Sequence, residues 1–169
     1  MKKLIIVLFA ITVILSLSNH KQEILIPDNS IRFRVIANSN SEEDQEMKIK
    51  IKEEIEQELN KQIQQAKNIE EARELIKNDL LKINDIVTNY NIPYQLNFGM
   101  NPFPEKEYKG VTYKAGDYES LVITLGSGLG KNWWCVMFPP LCLLEAEENN
   151  LNEVEYQFFV KEMLNQYLE

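Results

Sequence analysis

Three chemistries depend on residue type and spacing in this sequence: a phosphate cradle, a nucleophile with its base, and a metal-ligand set. The run Gly126-Ser127-Gly128-Leu129-Gly130-Lys131 has the glycine content and the lysine of a phosphate-binding loop, in which backbone amides approach the phosphates and an ammonium neutralises charge. Its spacing does not fit. A P-loop requires glycine where Leu125 stands and Ser or Thr where Asn132 stands, and the dinucleotide fingerprint fails as well. The run reads as a flexible connection between strands.

Nucleophilic catalysis by Ser or Cys usually needs a histidine to take the proton, and the only histidine is His20 near the amino end. The same scarcity counts against zinc: Cys135 and Cys142 would need carboxylates in place of imidazoles to complete a coordination shell. No catalytic residue, cofactor or metal is therefore predicted. Carboxylate pairs are the remaining catalytic option, because two of the 26 acidic residues could converge as acid and base. That option keeps an exported carboxylate-dependent cell-wall hydrolase as the alternative function.

Around these residues stand the elements that would position them. Lys2 and Lys3 precede an apolar run from Leu4 to Leu17, the layout of a secretory signal. The run is shorter than the roughly 20 residues a membrane-spanning helix needs, and Ser16 and Ser18 supply small residues for cleavage after Ser18. Residues 1–18 are thus expected to be a signal peptide or membrane anchor, touching membrane through residues 4–18 before or without cleavage. Residues 19–169 are long enough for one domain with its own core. Without Lys2 and Lys3, sixteen basic residues face 26 acidic ones, a balance of about −10. Such a field repels nucleic acid and anionic lipid.

Within the domain, Ile31 to Ala37 alternates in the manner of a strand, with Ile31, Phe33 and Val35 on one face and Arg32, Arg34 and Ile36 on the other. Asn38, Ser39 and Asn40 form a polar turn, and Ser41 with Asp44 offers a helix cap. Met47, Ile51, Ile55, Leu59 and Ile63 then recur every fourth residue, one apolar stripe of a long helix. Asn68 and Glu71 start a second amphipathic helix that runs towards Tyr90; between the stripes the chain either bends tightly or continues as helix. Beyond Pro93 the period changes to two, with Tyr94, Leu96, Phe98 and Met100 on one side, until Pro102 and Pro104 interrupt the strand. Tyr108–Tyr113 and Tyr118–Leu125 suggest a hairpin, Asn132–Phe138 a packed aromatic segment, and Asn152–Leu168 a terminal helix. The order predicts a single α+β domain: an N-terminal strand, two amphipathic helices, a mainly antiparallel sheet and a C-terminal helix.

Export would carry Cys135 and Cys142 to a compartment where disulfides persist. Their even count and the turn-forming Pro139 and Pro140 between them predict pairing; two buried thiols are the alternative. Arg32 and Arg34 share a strand face in an acidic chain, which predicts either local bridges to Glu42, Glu43 or Asp44 or a patch that faces a partner. Adjacent Trp133 and Trp134 point to opposite sides of a strand, so only one easily enters a given core; the other is either an interface anchor or packed under the terminal helix.

Two stretches resemble the stage II sporulation protein R family: Ile31-Arg-Phe-Arg-Val-Ile-Ala-Asn-Ser-Asn-Ser-Glu-Glu-Asp-Gln45 and Asn132-Trp-Trp-Cys-Val-Met-Phe-Pro-Pro-Leu-Cys142. Ala115-Gly116-Asp117-Tyr118-Glu119-Ser120-Leu121 and the glycine-rich approach to Asn132 are similar to that family too. Asn40 stands where the family has aspartate and Met137 where leucine is usual. The resemblance implies a signal, not an enzyme. It would be made in the forespore, secreted across the forespore membrane into the intermembrane space, and would activate a membrane-embedded aspartic protease of the mother cell that processes pro-sigma-E. No small-molecule substrate is implied. The candidate contact residues are Arg32, Arg34, Asn38, Asp44, Trp133 and Trp134.

Overall fold

The structure is a computed structural model and describes residues 24–26, 29–142 and 152–168. The expected leader lies outside those residues. Among the described residues no helix is long and apolar enough to cross a membrane.

In chain order the elements are β1 (Ile24–Leu25), β2 (Ile31–Ile36), α1 (Glu42–Ile63), α2 (Ile69–Thr88), β3 (Tyr94–Phe103), β4 (Lys106–Tyr108), β5 (Val111–Tyr113), β6 (Gly116–Leu125), β7 (Asn132–Phe138) and α3 (Glu153–Leu168). The α+β class and the order of elements are as the sequence predicts. Ser41 caps α1 by accepting from the Asp44 amide at 3.2 Å, and three acidic side chains in the first turn complement the helix dipole. The chain bends rather than continuing: α1 stops at Ile63, and Asn68 caps α2 by accepting from the Glu71 amide at 2.9 Å.

The two helices run antiparallel, as their cross-pairs show. Gln62 donates to Asp79 at 2.6 Å, and Lys82 bridges Glu58 at 2.9 Å. Their apolar stripes face one side of a four-stranded sheet in the order β3-β6-β2-β7, with β2 and β6 parallel and the outer pairs antiparallel. Phe33 lies opposite Leu121 on one side and Cys135 on the other, which fixes that face as apolar. Ile51, Ile55, Leu59, Ile76 and Ile83 close over it, all with almost no exposure. Each such aliphatic side chain contributes about 1.5–3 kcal/mol of transfer free energy.

The opposite face is covered by a second core. A small sheet, β1-β5-β4, joins α3 to enclose Phe103, Tyr113, Tyr118, Trp134 and Tyr156. Two expectations fail here. Tyr108–Tyr113 does not form a hairpin with Tyr118–Leu125: β5 pairs with β4 and β1, while β6 pairs with β3 and β2. Ala115 and Gly116 therefore carry the chain from one sheet to the other, and the tight hairpin is β4–β5 around Lys109 and Gly110, both at positive φ. Nor does Pro102 end β3, which pairs with β6 through Phe103. Among the described strands β3 lies at the edge of its sheet, where a proline need not donate to a ladder.

Candidate partner-contact site

Strand alternation sends Arg32 and Arg34 to the face away from α1 and α2, and this geometry decides their partners. Arg32 is fully buried. Its guanidinium carbon lies 3.3 Å from the Tyr118 ring centroid and 4.9 and 5.0 Å from those of Trp134 and Phe103. The planar, weakly hydrated guanidinium suits such a box, because it is attracted to ring faces and costs less to strip of water than an ammonium. Arg34 is half-buried and donates from Nη1 to the Pro102 carbonyl at 3.3 Å. Its Nε finds no hydrogen-bond partner among the described residues, and burial pulls its pKa below the ordinary value.

The expected bridges from these arginines to Glu42, Glu43 or Asp44 are therefore corrected. Asp44 faces the turn that precedes its own helix, accepting from the Ser39 hydroxyl at 2.5 Å and from Asn38 Nδ2 at 3.0 Å. The Ser39 bond, followed by those from Asn38 and Ser41, holds the Asp44 carboxyl below the usual aspartate value. Burial also removes Arg32 and Trp134 from any contact surface of the folded domain.

Asn38 is the hub of a clasp. Its side-chain oxygen accepts from the Ser127 amide at 2.9 Å, while its carbonyl accepts from the Ser127 hydroxyl at 2.8 Å and the Leu129 amide at 3.1 Å. The Lys131 amide donates to Asn40 Oδ1 at 2.8 Å. An aspartate at position 40 would offer the same oxygen, so this departure from the family pattern leaves the contact available. The approach is close enough to demand glycine. At Gly126, with φ of +53°, a Cβ would overlap the Asn38 side chain; at Gly130 it would overlap the Ser39 carbonyl and Ala37. The glycine run is thus a fixed loop and not a flexible connection. It leaves Leu129 80 % exposed at its tip.

Lys48 extends the clasp into α1. Its ammonium donates to Gln45 at 2.7 Å and to the Lys131 carbonyl at 3.3 Å, and burial, with Lys131 nearby, lowers its pKa. Ser127, Leu129 and Lys48 were not among the predicted site residues. The asparagine-serine turn and the glycine run were each visible in the sequence, but nothing local indicated that they touch.

The tryptophans do point to opposite faces, yet both are packed. Trp133 is half-buried, edge-on to Phe33 with ring centroids 5.7 Å apart and beneath Lys52 Nζ at 4.6 Å. Trp134 sits edge-on to Phe103 and Tyr113, each at 5.3 Å. Seven residues apart, Cys135 and Cys142 form a disulfide with Cα atoms separated by 5.3 Å. Pro139 and Pro140 make the intervening turn, as the sequence suggests.

Comparison with known proteins matches residues 27–148 to the family described as stage II sporulation protein R. The matched range takes in the clasp, both tryptophans and both cysteines and ends before α3. Over 133 residues the chain is 38 % identical to the stage II sporulation protein R of Bacillus subtilis (strain 168). That alignment covers 75 % of this chain and 59 % of the relative, so the chain spans less than two thirds of the relative's length. No solved structure matches.

Proposed function

The chain belongs to the stage II sporulation protein R family, and from that premise we propose that it is an exported signal which acts by touch. It is made in the forespore, secreted into the intermembrane space, and activates a membrane-embedded aspartic protease of the mother cell that processes pro-sigma-E. Residues 4–18 contact the membrane during export, and remain there if the leader is not cleaved.

The observation that carries this reading is the preorganised clasp. A loop held by Asn38 and Asn40 presents Leu129 to solvent without needing to be ordered on binding. Burying one leucine in a partner supplies about 1.5–3 kcal/mol, or roughly ten- to a hundredfold in affinity. Arg34 adds donors beyond the single one given to Pro102. Contact of this kind activates a protease only if it binds the active state more tightly than the resting one.

The test is co-expression with the protease and pro-sigma-E in a non-sporulating host. Processing is expected only with all three present. Leu129→Asp and Arg34→Glu should each abolish processing while export and the disulfide persist. Full signalling by both variants would refute this contact surface. Cleavage of peptidoglycan by the purified protein alone would refute the signalling reading.

A further inference from the structure

The sequence alone offers zinc two cysteines and no obvious third ligand. The fold supplies one. Glu56, on the sheet-facing side of α1, brings a carboxylate oxygen to the Cys135 and Cys142 sulfurs, and these three ligating atoms lie within 4.8 Å of one another. All three residues are at most 5 % exposed. We infer that this group is a second, redox-alternative site: when the disulfide is reduced, Cys135, Cys142 and Glu56 bind one thiophilic divalent cation such as Zn2+.

Three arguments carry it. The first is reach. Zinc takes thiolate sulfur at about 2.3 Å and carboxylate oxygen at about 2.0–2.2 Å, which places ligands of one ion roughly 3.5–4 Å apart. Rotations of the opened cysteine side chains cover the difference, and the 5.3 Å between their Cα atoms needs no backbone change. The second is orientation. Lys52, one turn before Glu56, holds Oε2 at 2.8 Å and is itself fixed over Trp133, so the carboxylate is aimed by a supporting partner. The third is charge. Two thiolates and a carboxylate, set against a divalent cation and the Lys52 ammonium, sum to zero, and neutrality is what a site this deeply buried requires.

The chemistry balances. An external dithiol gives two electrons and two protons to the disulfide and closes its own S–S bond, leaving two thiols in the protein. The cation then displaces both thiol protons to solvent. Three protein ligands leave one coordination position for a solvent oxygen. The domain is thereby stapled covalently in oxidising surroundings and by a metal in reducing ones.

The test uses the exported protein, reduced and freed of reductant under anaerobic conditions, then titrated with Co2+. Thiolate-to-cobalt charge-transfer absorption should appear and saturate at one metal per chain, be reversed by Zn2+, and be absent from the disulfide-bonded protein. Cys135→Ser should abolish the band. Glu56→Gln should weaken cobalt binding at least tenfold, and Lys52→Met about tenfold. Circular dichroism checks the fold, of Glu56→Gln and Lys52→Met in their disulfide-bonded state and of Cys135→Ser, which cannot form that bond, in its thiol state. Should Glu56→Gln fail to fold, Zn2+ protection of both wild-type thiols from alkylation replaces it, and unprotected thiols overturn the proposal. It is overturned equally by a reduced wild type that gives no band, folded or not, or by Glu56→Gln binding cobalt with wild-type affinity. The latter result would leave Glu56 and Lys52 as an ordinary helix ion pair.

Discussion

On one face of the four-stranded sheet, α1 and α2 lay Ile51, Ile55 and Ile83 against Phe33 and Ile123; on the other, Arg32 lies among Phe103, Tyr118 and Trp134. The first face is held by burial, which has no preferred direction and tolerates exchange between apolar shapes. The second depends on where rings point. Its neighbouring aromatics meet edge to face, at 74° for Phe103 with Trp134 and 89° for Tyr113 with Trp134, and the ring faces so arranged surround a cation. Covering a sheet with a charge at its centre is feasible only when neighbours offset the desolvation, so this face has less freedom to vary than its aliphatic counterpart.

The largest expected effect tests that asymmetry directly. Arg32→Ala removes a large, fully buried side chain together with its ring contacts and should cost about 3–5 kcal/mol. Ile55→Val removes one methyl group from the aliphatic face and should cost about 0.5–1.5 kcal/mol. Urea denaturation midpoints measure both. If Arg32→Ala proves no worse than Ile55→Val, the two faces do not differ as described.

That same asymmetry explains what could be read in advance. The helix-covered face follows from local pattern: a four-residue stripe from Met47 to Ile63 and the Asn68–Glu71 cap each lie within a few turns of chain. The aromatic face does not. Phe103, Tyr118 and Trp134 come from three separate strands, and an arginine beside acidic residues reads as a surface group until those rings are assembled around it. The hairpin expected between Tyr108–Tyr113 and Tyr118–Leu125 fails for a related reason: the change of sheet at Gly116 leaves no mark that distinguishes it from a turn. In the candidate site, Arg34, Asn38, Asp44 and Trp133 keep some exposure, but the clasp depends on a contact between Asn38 and Ser127, 89 residues apart, which no periodicity encodes.

The clasp is the next target, because it stands at the end of the sheet, where β2 runs into the Asn38 turn and β6 into the glycine loop. Gly126→Ala should cost about 1–3 kcal/mol, from both the left-handed backbone and the overlap with Asn38. Asn38→Ala removes the two nearest overlapping atoms, Oδ1 and Cγ, and leaves Cβ, so the cost of Gly126→Ala should fall in that background without vanishing. A coupling of about 0.5 kcal/mol or more in the four-variant cycle is the expected outcome. Strict additivity would mean that the loop is not held against Asn38.

A smaller effect belongs to the helix-covered side. Arg73 on α2 makes a two-point bridge to Glu119 on β6, at 2.6 and 2.8 Å, with side chains 30 % and 19 % exposed. Hydrogen bonding to Glu119 is the chief cause that raises the Arg73 pKa. Paired geometry favours the contact, but partial exposure screens it. Glu119→Gln should therefore cost only about 0.5–1 kcal/mol at low salt, shrinking as salt is added. A loss that persists in molar salt would show that shape, not charge, fixes α2 to β6.

The smallest effect is a pH dependence at Asp44. Because hydrogen bonds from Ser39, Asn38 and Ser41 lower its pKa in the folded protein, the folded state binds this proton less readily than the unfolded chain does. Its contribution is then complete above the ordinary aspartate value of about 3.9 and disappears as pH falls through the lower folded value. Asp44→Asn should be less stable than the wild type at pH 7 and pH 5, with the gap closing on acidification below about pH 4. Denaturation curves for both proteins at these pH values provide the measurement. A gap that stays constant into acid would mean that Asp44 anchors the turn by shape alone. The clasp would then resemble the aliphatic face, indifferent to charge, more than the arginine-centred one.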